Sequence, residues 1–413
     1  MINRNIMPFA GLADPHALVE NDQIYIFCGS DKSPKTEDTW RMDKWCILSS
    51  FNMKDWKKIG EILPGDTYIG DLNDNCWAGY ILKKDEKYYW FFSNKNIDIG
   101  VACAEHVEGP YKDVLGKPLL PQGFADTAVY DPSVYEEDGV YTMFFGAGRY
   151  YCVELAEDLL APSGAAQPVQ VLDAKGRELK TGDKSTVFKY REQYYLCYGN
   201  QYAVSKHLKG PYLYKGKFIG GGHNDVFQWK GHWYICNEFH DTGIFYRGIR
   251  VQDLQFDCNG DVVIPQDDSE DTSGNKQWDF TLGNNNWFLT DYTDVHWDRS
   301  GIRVIPTEMR GIRSPVFPGI LMRGKMRLRL ELEWSGFSEM LLLKLEWVDQ
   351  TGEYWKLAPG EITIPLEVRQ DQQIYCCEFQ IPQESGLLRK ISLTGTKEGR
   401  GELRLRQISI QHA

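Results

Sequence analysis

A strand-like run, a short polar turn and a second run rich in Tyr, Phe and Trp recur five times before residue 240. The copies read "HALVENDQIYIFCGS", "WAGYILKKDEKYYWFFS", "PSVYEEDGVYTMFFG", "STVFKYREQYYLCYG" and "NDVFQWKGHWYICNE". A hairpin of this size cannot hold a core alone, so the copies must pack on one another. Their spacing suggests the blades of a β-propeller rather than the strands of a sandwich. Outer strands come from "KWCILSSFNMKDWKKIGEI", "IGVACAEHVEGPYKD", "YAVSKHLKGPYLYKG" and "YRGIRVQDLQFDCNGDVVI". The Gly-Pro-Tyr of "EGPY" and "KGPY" marks the same outer turn in the second and fourth copies. Helical periodicity is scarce, and the predicted fold class is all-β.

Two copies open on Asp-Pro, in "ADPHALV" and "VYDPSVY". A single Asp-Pro is usually a turn initiator. Repeated in one frame, it puts Asp14 and Asp131 at the starts of inner strands, which a propeller aims into one end of its channel. The fourth copy opens "TGDKSTVF" without proline, and its strand is headed by Asp183, with Glu178 as the alternative acid. Aromatic residues make up 13% of the chain. Strand packing accounts for most of them, and the rest suit the faces of sugar rings. A formal charge of -12 repels phosphate backbones, which excludes nucleic acid as the expected partner. No apolar run approaches the roughly 20 residues of a membrane helix.

Past residue 265 the texture changes. "PQDDSEDTSGNK" is polar and acidic, and residues 265–277 are predicted to be a linker between a propeller at 1–264 and a second domain at 278–413. There "KMRLRLELEWSGF" and "ELRLRQISIQ" alternate apolar and polar, the pattern of a jelly-roll-like antiparallel β-sandwich, with Trp278, Trp287 and Trp297 near its start. The ten Cys sit mostly in apolar strand runs and lack metal-type spacing, so they read as buried reduced thiols. "MINRNIMPFAGLADP" shows no signal-peptide pattern. The expectation is a cytoplasmic protein, or an exported one whose signal has been removed. Gly-x-Ser-x-Gly and His-Glu-x-x-His are missing, and "GGG" at 220–222 has neither the following helix nor the Lys-Ser/Thr of a phosphate loop.

Five motifs in order, "ADP", "CWAGYI", "YDPSVY", "GGGHNDVFQWKGHWYI" and "YRGIRVQDLQFDCNG", resemble glycoside hydrolase family 43 and its five-bladed relatives over roughly residues 10–264. The resemblance implies that Asp14 is the general base and that Asp131 orients the general acid and raises its pKa by like-charge repulsion. It puts Asp183 where the family carries Glu, with Lys184-Ser185 in place of the family's Gly/Ala-Pro. Trp77 becomes a sugar-contacting wall, with Gly79 replacing the proline of Trp-Ala-Pro. His223 becomes the channel histidine, Arg247 a substrate-binding arginine with Arg250 as its rival, and Trp40 with Arg41 the pocket rim. No cofactor is required on this reading. A calcium ion in the channel, held by His223 through water, stays open, although no run of six to eight oxygen ligands is visible. The implied activity is inverting, exo-acting hydrolysis of arabinose- or xylose-containing oligosaccharides, of α-L-arabinofuranosidase or β-xylosidase type. The other class left open is a non-catalytic carbohydrate-binding propeller that has lost its acid. Oligomeric state is not legible.

Overall fold

The computed structural model describes residues 6–7, 11–32, 40–71, 73–217, 222–239, 245–265, 275–291, 293–315, 320–348, 360–381, 386–396 and 401–413. Most of the expected linker therefore lies outside the described residues. Those that are described form strands, with one 3-10 turn at Pro64–Asp66. They divide into two compact units, one from Met1–Lys32, Arg41–Phe239 and Arg247–Asp267, the other from Ser33–Trp40, His240–Tyr246 and Asp268–Ala413.

The first unit is a five-bladed propeller. Blade 1 orders Leu12–Glu20, Gln23–Asp31, Met42–Ser50 and Lys57–Ile62 from the axis outward. Blade 2 repeats this with Cys76–Lys84, Lys87–Asn94, Asp98–Ala104 and Lys112–Asp113. Blade 3 uses Ser133–Glu137, Val140–Phe145, Tyr150–Glu154 and Gln167–Val169. Blade 4 uses Ser185–Tyr190, Gln193–Tyr198, Gln201–Ser205 and Tyr212–Lys217, with Val171–Leu172 added in parallel at the outer edge. Blade 5 has Asn224–Trp229, His232–Phe239 and Gly248–Asp253. Each inner strand packs on those of its two neighbours, and Leu12–Glu20 meets Asn224–Trp229, which closes the ring.

Local chemistry explains the hairpins. Asn21-Asp22, Asp138-Gly139 and Lys230-Gly231 each hold two consecutive residues at positive φ, the backbone of the two-residue turns that match strand twist. The aromatic runs pack between blades. Leu12, Ile24, Ile26, Phe227 and Ile249 join blades 1 and 5, while across blades 1 and 2 Phe27 stacks on Trp90 and Trp45 meets it edge-on. Phe91, Val134 and Met143 join blades 2 and 3, and Phe144, Tyr150, Val187 and Leu196 join blades 3 and 4. The two Gly-Pro-Tyr turns are alike in detail. Tyr111 and Tyr212 are buried and donate to the carbonyls four residues back, at Val107 (3.1 Å) and Leu208 (2.5 Å).

Among the described residues the second unit is a sandwich of two six-stranded sheets. Alternation in Lys325–Trp334 buries Met326, Leu328, Leu330, Leu332 and Trp334 in turn, and Leu341, Leu343 and Leu345 meet them in the shared core. Trp278 and Trp287 pack edge-to-face in that core at 5.4 Å, while Trp297 stays 39% exposed.

Candidate active site

Each inner hairpin sets its own register, and the five registers agree. His16, Tyr80, Ser133, Thr186 and Asp225 lie opposite Phe27, Phe91, Phe144, Cys197 and Cys236. Those partners hold matching places in "IFCG", "WFFS", "MFFG", "LCYG" and "ICNE". Two residues earlier in each blade stand Asp14, Ala78, Asp131, Lys184 and His223. The two Asp-Pro units recur because this position recurs. Asp14, Asp131 and Lys184 also share a left-handed backbone, with φ of 53°, 55° and 44°. Such a conformation costs a non-glycine residue about 1–2 kcal/mol and is held by its surroundings.

Blade 4 departs from the sequence expectation by one residue. Its member of the ring is Lys184, and Asp183 precedes it. Asp14 and Asp131 are 1% exposed, whereas the Asp183 side chain keeps 47% of its surface. The Asp183 turn is tied down by Tyr150, whose hydroxyl donates to the Asp183 carbonyl at 3.1 Å, and by paired backbone bonds between Gly148 and Thr181.

His223 joins the three acids. Its Nδ1 is in close contact with Asp14 Oδ1, and its Nε2 lies 3.2 Å from Asp183 Oδ1 and 3.7 Å from Asp131 Oδ2. Asp14 and Asp183 thus contact opposite nitrogens of one imidazole. Neither Asp131 carboxyl oxygen has a hydrogen-bond partner among the described residues. Arg247, expected to bind substrate, is 4% exposed and lies behind Asp14. It donates to Asp14 Oδ1 at 3.1 Å, Glu238 Oε2 at 2.7 Å and Asp31 Oδ1 at 2.9 Å. Arg247 precedes its strand, while the rival Arg250 lies within it, opposite Asn237.

The other expected residues fall as follows. Trp77 is half-buried, 6.3 Å from the ring of Tyr130, the neighbour of Asp131. Gly79 has a packing reason, since a Cβ there would stand 2.4 Å from the Trp90 ring. Trp40 packs on Phe245 at 4.9 Å and groups with it in the second unit. Arg41 is exposed. Glu178 makes a two-pronged ion pair with Arg149 (2.7 and 2.8 Å) on the wall of a groove of about 480 Å³ that also touches Asp126, Thr127 and Lys180.

Burial pushes Asp131 up to about 7, further helped by Asp183 and Asp14 and opposed by His223 and Lys184. Packing around Asp183 also raises its carboxyl, but the charge and hydrogen bond of His223 outweigh this and hold it below the usual carboxylate range. Burial lowers His223, yet Asp14, Asp183, Glu238 and Asp131 together raise it well above an ordinary histidine. Burial is thus the main push on Asp131, and His223 draws Asp183 toward its ionised form.

Sequence reasoning missed Asp31, Glu238, His16, Asp225 and Lys184, all buried. His16 Nδ1 lies 2.8 Å from Asp225, and its ring lies 3.7 Å from that of Tyr80. Asp31 and Glu238 sit at or near the ends of second strands, where no local pattern marks them.

Among the described residues two groups could hold an ion, Asp14 with His223 and Glu238, and Asp131 with Asp183 and His223. Calcium wants six to eight oxygens. Arg247 already holds the first group, and His223 presents nitrogen to the second. Lys184 Nζ occupies the carbonyls of Gly79 and Pro132. Neither group supplies by itself the six to eight oxygens of a direct calcium site.

Comparison with known proteins follows the same lines. The family model for glycosyl hydrolases family 43 matches residues 7–256. The arabinoxylan arabinofuranohydrolase of Paenibacillus polymyxa is 25% identical over 369 residues, covering 72% of this chain and 56% of that protein. The arabinoxylan arabinofuranohydrolase of Bacillus subtilis is 24% identical over 321 residues, covering 60% of this chain and 61% of that protein. The chain therefore spans little more than half the length of these curated relatives. A solved family 43 arabinoxylan arabinofuranohydrolase from Bacillus subtilis, in complex with cellotetraose, superposes with a TM-score of 0.54 at 19% identity, over 99% of this chain and 98% of that one. At that identity the likeness concerns the fold.

Proposed function

Since the chain belongs to glycosyl hydrolases family 43, we propose that it is an inverting, exo-acting glycosidase that releases arabinose or xylose from oligosaccharides. The observation that carries this reading is the convergence of Asp14, Asp131 and Asp183 on His223. Asp14, held by Arg247, takes a proton from water, whose oxygen bonds to the anomeric carbon. Asp183 gives a proton to the glycosidic oxygen as the old C–O bond breaks. The half-exposed Asp183 faces the solvent side, where a bound glycan would cover it. Loss of water raises a carboxyl's pKa, and His223, 3.2 Å away, is a proton source for it. The groove beside Arg149 is of a size for a sugar leaving group.

Similarity to arabinoxylan arabinofuranohydrolases favours removal of single arabinose units. The family's chemistry calls for no cofactor, and the cations already in the site argue against calcium. Six of the ten Cys are buried and all are unpaired, which supports a reducing compartment. Release of aryl alcohol from aryl α-L-arabinofuranoside and β-D-xyloside tests the activity, and proton NMR of the first sugar formed tests inversion. The second reading, a carbohydrate-binding propeller without turnover, draws on the ionised state of Asp183. Saturable oligosaccharide binding with no release from any glycoside would select it.

A further inference from the structure

Lys184 is 0% exposed, although lysine is almost never fully buried without a partner. It stands in blade 4 where blades 1 and 3 carry Asp14 and Asp131, on the same left-handed backbone. Its ammonium donates to the carbonyls of Gly79 in blade 2 (2.8 Å) and Pro132 in blade 3 (3.0 Å). It lies 5.9 Å from the ring of Tyr80. Burial lowers the pKa of its amine, and the charges of Asp131, Asp225 and Asp14 work against that and favour the ammonium form. One side chain thus ties three blades together beneath the acids. Its own backbone is the residue after Asp183.

We propose that Lys184 is a built-in cation of the channel and the positioning residue for Asp183, fixing the blade 4 turn against blades 2 and 3. The positioning role rests on the glycosidase reading; the anchoring does not. Glycine suits a φ of 44°, so Lys184→Gly removes the amine while easing the backbone, and Lys184→Met removes it while keeping the bulk.

Both variants are assayed against a dinitrophenyl glycoside and a disaccharide of the same sugar. A displacement of about 1 Å can cost 10²-fold, so the disaccharide rate is expected to fall on the order of 10²-fold while the dinitrophenyl rate, which needs little protonation, largely survives. Hydrogen exchange of the amides at 181–184 is expected to quicken about tenfold or more, with blade 1 unchanged. Equal losses on both substrates, or a wild-type substrate ratio with wild-type exchange, overturn the proposal. Should Lys184→Met fail to fold, Lys184→Gly decides. Wild-type protein treated with EDTA is expected to keep its melting temperature; a fall restored by calcium overturns the built-in cation. Wild-type protein that cleaves neither substrate sinks the glycosidase reading instead, and the exchange measurement still judges the anchor.

Discussion

Asp131→Asn keeps the shape of the carboxyl and removes its proton equilibrium. Asp131 is buried, and its pKa rises from 3.8 to about 7. A raised folded-state value means that stability from this group is complete below pH 4 and is lost as pH climbs to 7, because the unfolded chain ionises first. Three units correspond to about 4 kcal/mol. Asparagine escapes this loss. Relative to wild type, the variant should gain about 2 kcal/mol at pH 5 and about 4 kcal/mol at pH 8.5. For a domain of this size the extra 2 kcal/mol is a widening of roughly 4–8 °C in melting temperature. Calorimetry at the two pH values reads it, with the propeller transition identified as the one that a sandwich mutation leaves in place. A gap that is constant, or that narrows as pH rises, would refute the assignment of the proton to Asp131.

Asp14→Asn should lower turnover by about 10²-fold or more while substrate binding persists, measured by steady-state kinetics and calorimetric titration. Asp183→Ala should cost on the order of 10²–10⁴ with a sugar leaving group and little with dinitrophenol, and equal losses would assign it a structural role. Leu330→Ala empties a fully buried place in the sandwich and should destabilise that unit by about 2–5 kcal/mol, shifting one calorimetric transition and leaving the other.

The blades were legible because hairpin, turn and aromatic run repeat locally, and the sandwich because "KMRLRLELEW" alternates with a period of two. Asp14 and Asp131 stood out through a following proline. Blade 4 lacks that mark, and only the pairing of Thr186 with Cys197 shows that Lys184, rather than Asp183, holds the ring position. A lysine beside an acid in "GDKS" reads as a solvated turn. Its burial depends on carbonyls from two other blades, which no local pattern reports. The same holds for Arg247 and Asp31, which meet across 216 residues of chain. The proton positions were not legible either, because burial of Asp131 and the contacts of His223 with three acids exist only in the folded ring.

The closure of that ring has a consequence for how the protein fails. Asp14 draws its setting from His223, Glu238 and Arg247, and the bond to Arg247 spans 233 residues. Blades 1 and 5 are neighbours in space and nearly opposite ends of the propeller's chain, so the seam between them is its most expensive loop to close. Opening along that seam leaves blades 2, 3 and 4 packed on one another, yet it returns Asp14 to water and strips Arg247 of two of its three acids. The candidate base is therefore also the molecule's latch, set on the one seam that joins the two ends of the propeller's chain.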